Sequence, residues 1–145
     1  MYKKILVALD GTQSTESVID HVVDIARAEN SEVVLLNVLP EPRAEYVSGI
    51  VVTPLKEAVE RSLAKAQDYL RGMSWRLELH GIKTKHVVRL GDPAEEIIKC
   101  ADLHEVDLIA MVPHKRRGLD RIFHSSVSHK VMRSVPTPML LLNAA

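Results

Sequence analysis

Few residues in this chain are of a type and spacing that could do chemistry. Asp10 closes a short apolar run, Ile5 to Leu9, and Gly11 follows at once. A carboxylate in that place has two readings. It can meet a ribose hydroxyl at the end of a buried strand, or it can take N–H bonds from its own turn. The second candidate is the cationic stretch His114-Lys115-Arg116-Arg117-Gly118-Leu119-Asp120-Arg121. Lys and Arg so dense near a helix start can hold a phosphate, or they can form a solvated loop balanced by Asp120 and nearby acids. His114, His124 and His129 are spaced by ten and five residues. No tight metal-ligand motif has that spacing and no second acid stands beside them, so no metal is expected.

Catalysis finds no foothold. The chain has no Gly-x-Ser-x-Gly elbow, no Gly-x-x-x-x-Gly-Lys-Ser/Thr phosphate loop and no Gly-x-Gly-x-x-Gly dinucleotide fingerprint. Its single cysteine, Cys100, excludes an internal disulfide and a multi-cysteine zinc site, and reads as a small buried side chain in a reducing compartment. No catalytic residue is assigned, and the chain is not expected to be an enzyme.

These residues must be held by something. The 145 residues suffice for one domain, 1–145, with a full hydrophobic core. Lys plus Arg and Asp plus Glu are equal at 19 each, so no overall field draws nucleic acid or an acidic membrane. The apolar start is cut short by Asp10, too early for a signal-peptide core, and no run nears a membrane span, so a cytoplasmic protein is expected.

Unalternated apolar runs at Ile5 to Leu9, Val33 to Val38 and Leu108 to Val112 suit strands buried on both faces. Lys85 to Leu90 and Met139 to Leu142 complete a set of five. Between them, Val18, Ile19, Val22, Val23, Ile25 and Ala26 keep helical spacing after the cap-forming Thr12, Ser14 and Thr15. Leu55, Val59, Leu63, Ala66, Leu70, Met73 and Leu77 mark a long helix that Gly72 is expected to bend or shorten and Gly81 to close. Asp92-Pro93 is a cap followed by proline at the first helical position, and a last helix falls near Ser126 to Ser134. Residues 40 to 54 read as irregular, with Tyr46 exposed. This strict alternation predicts right-handed crossovers and an open, doubly wound parallel α/β sheet. Ligands of such sheets sit beyond the carboxyl ends of the strands, where strand order reverses.

Three blocks then resemble the universal stress protein family. They are Lys4-Ile5-Leu6-Val7-Ala8-Leu9-Asp10-Gly11-Thr12; Gly91-Asp92-Pro93-Ala94-Glu95-Glu96-Ile97 with Val106-Asp107-Leu108-Ile109-Ala110-Met111; and His114 to Val127 closing with Val135-Pro136-Thr137-Pro138-Met139-Leu140-Leu141-Leu142. The resemblance runs through nearly the whole chain in order. It implies a Rossmann-like, adenine nucleotide alpha hydrolase-like fold with a five-stranded parallel sheet in the order 3-2-1-4-5, and a homodimer. It also implies an ATP site whose loop after the fourth strand carries Gly-x-x-Gly, nine residues, then Gly-Ser or Gly-Thr. On this chain those glycines fall on Val112, Lys115 and Ser125, and the hydroxyl on Ser126.

All three glycines are replaced. Glycine lets main chain approach a triphosphate and take positive φ, which valine disfavours, while Pro113 removes an N–H donor. Asp10, Val38, His114, Ser126 and Val127 keep the family's residue type. Two functions follow. One is a stress-response binding or regulatory module that acts as a dimer and with protein partners, without tight ATP binding. Its contact is expected through the apolar edge strand Met139 to Leu142. The alternative is a sensor of ATP, AMP or another adenine nucleotide, held weakly at a modified site of Asp10, Val38, His114, Lys115, Arg116, Ser125, Ser126 and Val127. A phospho-acceptor receiver domain is excluded, because the third strand ends in Leu90-Gly91 rather than in an aspartate.

Overall fold

Twelve elements follow one another in a computed structural model that describes residues 1–41, 44–113 and 126–143. They are β1 (Lys4–Leu9), α1 (Gln13–Glu16), α2 (Val18–Glu29), β2 (Glu32–Leu39), β3 (Glu45–Val47), β4 (Ile50–Thr53), α3 (Leu55–Glu78), β5 (Lys83–Leu90), α4 (Pro93–Leu103), β6 (Leu108–Met111), α5 (Ser126–Ser134) and β7 (Met139–Leu141). The main sheet has the order β5-β2-β1-β6-β7, with every pairing parallel. Leaving out the small β3–β4 ribbon, this is the expected 3-2-1-4-5 order. The α/β doubly wound fold is present.

The unalternated strand sequences are explained by helices on both faces of the sheet. Ile5, Val7 and Leu9 of β1 and Val33 and Leu35 of β2 face one layer, where Val18 and Val22 of α2 and Leu70 and Leu77 of α3 meet them. Leu6, Val34 and Leu36 face the other way, onto Ile97 and Cys100 of α4 and Val131 of α5. Each central strand is therefore apolar at successive positions, because neither of its faces reaches water. Cys100 is 1% exposed, and burial pushes its thiol up to about 11.

Helix ends agree with their sequence signs in most places. Asp92 accepts the Glu95 amide at 3.0 Å, with Pro93 opening α4. The Glu95 N–H in turn holds the Asp92 carboxyl below its ordinary range. Gly81 takes φ +76 just past the end of α3. Two expectations need correction. The helix after β1 is split, with Ser17 separating the four-residue α1 from α2, and the Thr12 side chain makes no cap bond. Gly72 does not end α3, which runs unbroken over 24 residues. A Cβ placed on Gly72 would meet nothing within 4 Å. Gly72→Ala should therefore stabilise the domain by about 0.5–1 kcal/mol in urea unfolding, through the lost backbone freedom of the unfolded chain.

The region 40 to 54, expected to be irregular, contains an antiparallel hairpin. Val47 pairs with Ile50 across Ser48 (φ 52) and Gly49 (φ 77), and Tyr46 pairs with Val51. Two central residues at positive φ match the right-handed twist of flanking strands, the preferred two-residue connection. Tyr46 is exposed, as expected.

The first strand is fastened at its start. The Lys3 amide donates to Asp107 Oδ2 at 2.9 Å and the Lys4 amide to Oδ1 at 3.2 Å. The Lys4 ammonium donates to the His104 carbonyl at 3.2 Å, and the Asp107 amide to the Lys4 carbonyl at 2.9 Å. A carboxylate accepting two main-chain amides is a charge-assisted arrangement. Asp107→Ala should cost about 2 kcal/mol in denaturant unfolding, since both amides lose a charged acceptor. Asp107→Asn, which retains one acceptor oxygen, should lose less.

Candidate functional site

Strand order reverses at β1, which has β2 on one side and β6 on the other. Beyond the carboxyl ends of these three strands lies a cleft of about 130 Å³. Ala8 and Leu9 of β1, Leu36 and Val38 of β2, and Met111 with the following Val112 form its floor and one wall. Pro93 and Ile97 of α4 and Val127 of α5 close the opposite side, while Asp10 and Thr15 stand at the rim. Its position is the one expected for a ligand of a doubly wound sheet. Among the described residues its lining is almost wholly apolar, and Asp10 is the one acid there.

Asp10 is exposed and its Oδ1 is fully engaged with its own turn. It accepts the Thr12 amide at 2.8 Å, the Thr12 hydroxyl at 2.6 Å and the Thr15 hydroxyl at 2.9 Å. Thr15 Oγ1 also lies 3.0 Å from the Thr12 carbonyl, so its single proton serves one acceptor at a time. Gly11, at φ +85, supplies the backbone turn that brings Thr12 under the carboxylate. The local reading of Asp10 is thus realised for one oxygen.

The expected site residues are only partly gathered. Asp10, Val38 and Val127 line the cleft, and Val127 and Val38 are half-buried. Ser126 opens α5 as an exposed residue next to Val127 and does not line the cleft. His114, Lys115, Arg116 and Ser125 lie outside the described residues. Val112 is 3% exposed, lines the cleft, buries its side chain in the core on the α2–α3 side, and has its φ outside the positive region. That is the behaviour valine's branching dictates, at a position where the resemblance calls for glycine.

Sequence reasoning missed the polar support behind Asp10. Tyr69 of α3 donates to Glu16 Oε1 at 3.2 Å, and Arg76, a further two turns along, lies 3.4 Å from Glu16 Oε2. Burial first, and then the Glu16 carboxylate, push the Tyr69 phenol up. These bonds tie α1, and with it the Asp10 turn, to the long helix. A tyrosine at a helical position otherwise filled by apolar residues carried only a weak sign of this. Asn37 was legible but passed over, as the lone polar residue inside the β2 run. It is 4% exposed and its Oδ1 has no hydrogen-bond partner. A buried acceptor left unpaired costs on the order of 1–3 kcal/mol.

One Ser–His approach occurs among the described residues, Ser74 Oγ at 3.4 Å from His86 Nδ1. Ser74 is 4% exposed and neither residue lines the cleft, so the hydroxyl has no route to a substrate. Among the described residues no helix is long and apolar enough to cross a membrane.

The model of the universal stress protein family matches residues 1–143. The chain belongs to that family. This universal stress protein is 30% identical to universal stress protein MJ0577 of Methanocaldococcus jannaschii, over 98% of this chain and 95% of that protein. The solved structure of MJ0577 superposes with a TM-score of 0.83, covering 100% of this chain and 98% of the other. The universal stress protein of Methanothermobacter thermautotrophicus is 32% identical over 98% of this chain and 96% of its own. A universal stress protein solved in complex with cAMP is 21% identical, with a TM-score of 0.70 over 99% and 98% of the two chains, a likeness of fold alone.

Proposed function

We propose that this universal stress protein is a non-catalytic binding and regulatory module that works as a homodimer and does not hold ATP tightly. The observation that carries the reading is Val112. Val112 lines the cleft, while its side chain is buried in the core on the α2–α3 side, at the place where the family's ATP motif has glycine. A phosphate cradle depends on backbone N–H groups that converge on the anion, which glycine at positive φ allows, and Val112 does not take a positive φ.

The dimer is proposed through β7. Among the described residues this strand pairs only with β6, leaving its outer edge open, and Leu141 is 41% exposed. Residues Met139 to Leu142 carry no charge to guard that edge. A partner copy would cover it, and a protein partner acting through the dimer fits a module without chemistry of its own.

A second reading is favoured by the position of the cleft, with Asp10 at its rim and Val38 in its wall. A relative of the same fold was solved with cAMP, a nucleotide with a single phosphate, which needs no triphosphate cradle. Under this reading the chain senses a small adenine nucleotide, with the cationic stretch that begins at Lys115 and Arg116 meeting the phosphate.

Thermal unfolding with added MgATP separates the readings. A site with a Kd of about 10 µM would gain ~2.7 kcal/mol at about 1 mM ligand. For a domain of this size that is a rise of roughly 6–10 °C in Tm. The expected result is a rise below about 1 °C with MgATP, on the same scale. A rise with AMP or cAMP alone would favour the second reading, and a large rise with MgATP would sink the first.

A further inference from the structure

Six of the residues that line the cleft belong to a single core layer. Ala8, Leu36, Val38, Ile97, Met111 and Val127 all pack between the sheet and the helices α4 and α5. The cleft is thus an inlet into that layer, and a small side chain makes room for it. Ala8 stands on the central strand, pairs with Leu36 of β2 and has β6, with Met111, on its other side. Half-buried, its methyl group stops short of where leucine and methionine reach, so a slot opens above it.

The chemistry of the lining selects what the slot can take. Among the described residues only Asp10 and Thr15 of that lining are polar, and both are committed to their own turn. The Thr15 hydroxyl is buried, gives its proton to Asp10 or to the Thr12 carbonyl, and takes the Asp10 amide at 3.4 Å. A ligand that carried an amide or a hydroxyl into the slot would leave water and find no partner among these groups. An anion would face the Asp10 carboxylate. Apolar surface gains by the same transfer. Size narrows the choice further. The volume of about 130 Å³ is close to the roughly 150 Å³ of an apolar cavity that takes up benzene. The Met111 thioether favours contact with an aromatic ring.

We propose that this slot binds a small uncharged aromatic molecule of one ring, so that the signal read by the module is an apolar solute. Ala8 and Met111 on the sheet side and Ile97 and Val127 on the helix side hold the ring. The proposal rests on the reading that the chain does not hold ATP tightly, because a nucleotide seated at Asp10 and Val38 would occupy the same slot.

The test is a methyl-detected nuclear magnetic resonance titration of the full chain with benzene, with adenosine and MgATP titrated in parallel. Benzene should give saturable shifts at the methyl groups of Val38, Ile97, Met111 and Val127, with a Kd of about 0.1–1 mM. Methyl groups of the opposite core layer, such as those of Val18 and Leu77, should stay in place. Ala8→Ile fills the slot from the sheet and should weaken benzene binding at least ~10-fold, with Tm within about 3 °C of the wild type. Should that variant fail to fold, Val127→Phe fills the slot from the helix side, leaves the sheet untouched and should cause the same loss. No benzene shifts together with no MgATP binding would overturn this proposal and leave the reading beneath it standing. MgATP binding with a Kd of about 10 µM or below would sink both. The proposal also fails if the benzene shifts never saturate, spread through both core layers or persist unchanged in the filled variants. It fails as well if adenosine moves the same methyl groups at lower concentration than benzene.

Discussion

Val112→Gly/Lys115→Gly/Ser125→Gly is expected to bind MgATP at least ~50-fold more tightly than the wild-type chain, as measured by calorimetry. The three changes put glycine at each position of the family's phosphate loop and leave Asp10, Val38, Ser126 and Val127 untouched. The gain rests on main-chain donors. A hydrogen bond to a charged group contributes about 1.5–3 kcal/mol, so recovering two amides for the phosphates suffices for a factor of fifty. A cost accompanies it. Val112 is buried, and removing its side chain loses about 1.5–3 kcal/mol of burial, with a further loss of about 0.5–1 kcal/mol from glycine's freedom when unfolded. The variant will melt several degrees lower without ligand, and binding should be compared well below that transition. Two results would refute the idea: micromolar ATP binding by the wild type, or no gain in a folded triple variant.

If the proposed β7-mediated dimer forms, Leu141→Lys should weaken it at least ~100-fold, as read by sedimentation equilibrium. In a twofold contact the substitution enters twice, so each ammonium leaves water and faces its own copy across the axis. Removing a charge from solvent without a partner costs several kcal/mol, more than the ~2.7 kcal/mol that a hundredfold loss requires. The fold itself should be little affected, because Leu141 is 41% exposed within the chain and sits at the last register pair of β7, opposite Met111. Leu141→Ala, which removes apolar area but adds no charge, should weaken the dimer less. A dimer that survives Leu141→Lys places the contact elsewhere.

The fold was legible because its determinants are local and repeated. Ile5 to Leu9 and Leu108 to Val112 are apolar at successive positions, and only a strand covered on both faces needs that. Asp92-Pro93 marks a helix start by two independent rules. The hairpin at 45–53 was harder to see. Its Ser48-Gly49 turn lies between β-branched residues, but Pro40, Pro42 and Pro54 around it imitate an unstructured connection. The α1–α2 break was hidden as well, since Thr12 is a good cap by type, while its amide and hydroxyl are both drawn to Asp10. Tertiary competition for a donor leaves no trace in local sequence. The cleft was foreseen in place and in part of its lining, from Asp10, Val38 and Val127. Pro93, Ile97 and Met111 could not be assigned to it, because which core side chains stop short of the strand ends depends on how α4 lies across the sheet.

The central position of β1 has a consequence for how the chain acquires its shape. During synthesis β1 emerges before every strand that must flank it, and its partner β6, paired at Ile5 and Leu108, follows about a hundred residues later. Until that distant segment emerges, Ile5, Val7 and Leu6 have only a half-built shelter, and the nascent β1–β2 pair keeps one bare edge. Completion is therefore a late, nearly all-or-none event in synthesis, and a chain halted before residue 108 should be a target for holdase chaperones rather than a smaller working domain.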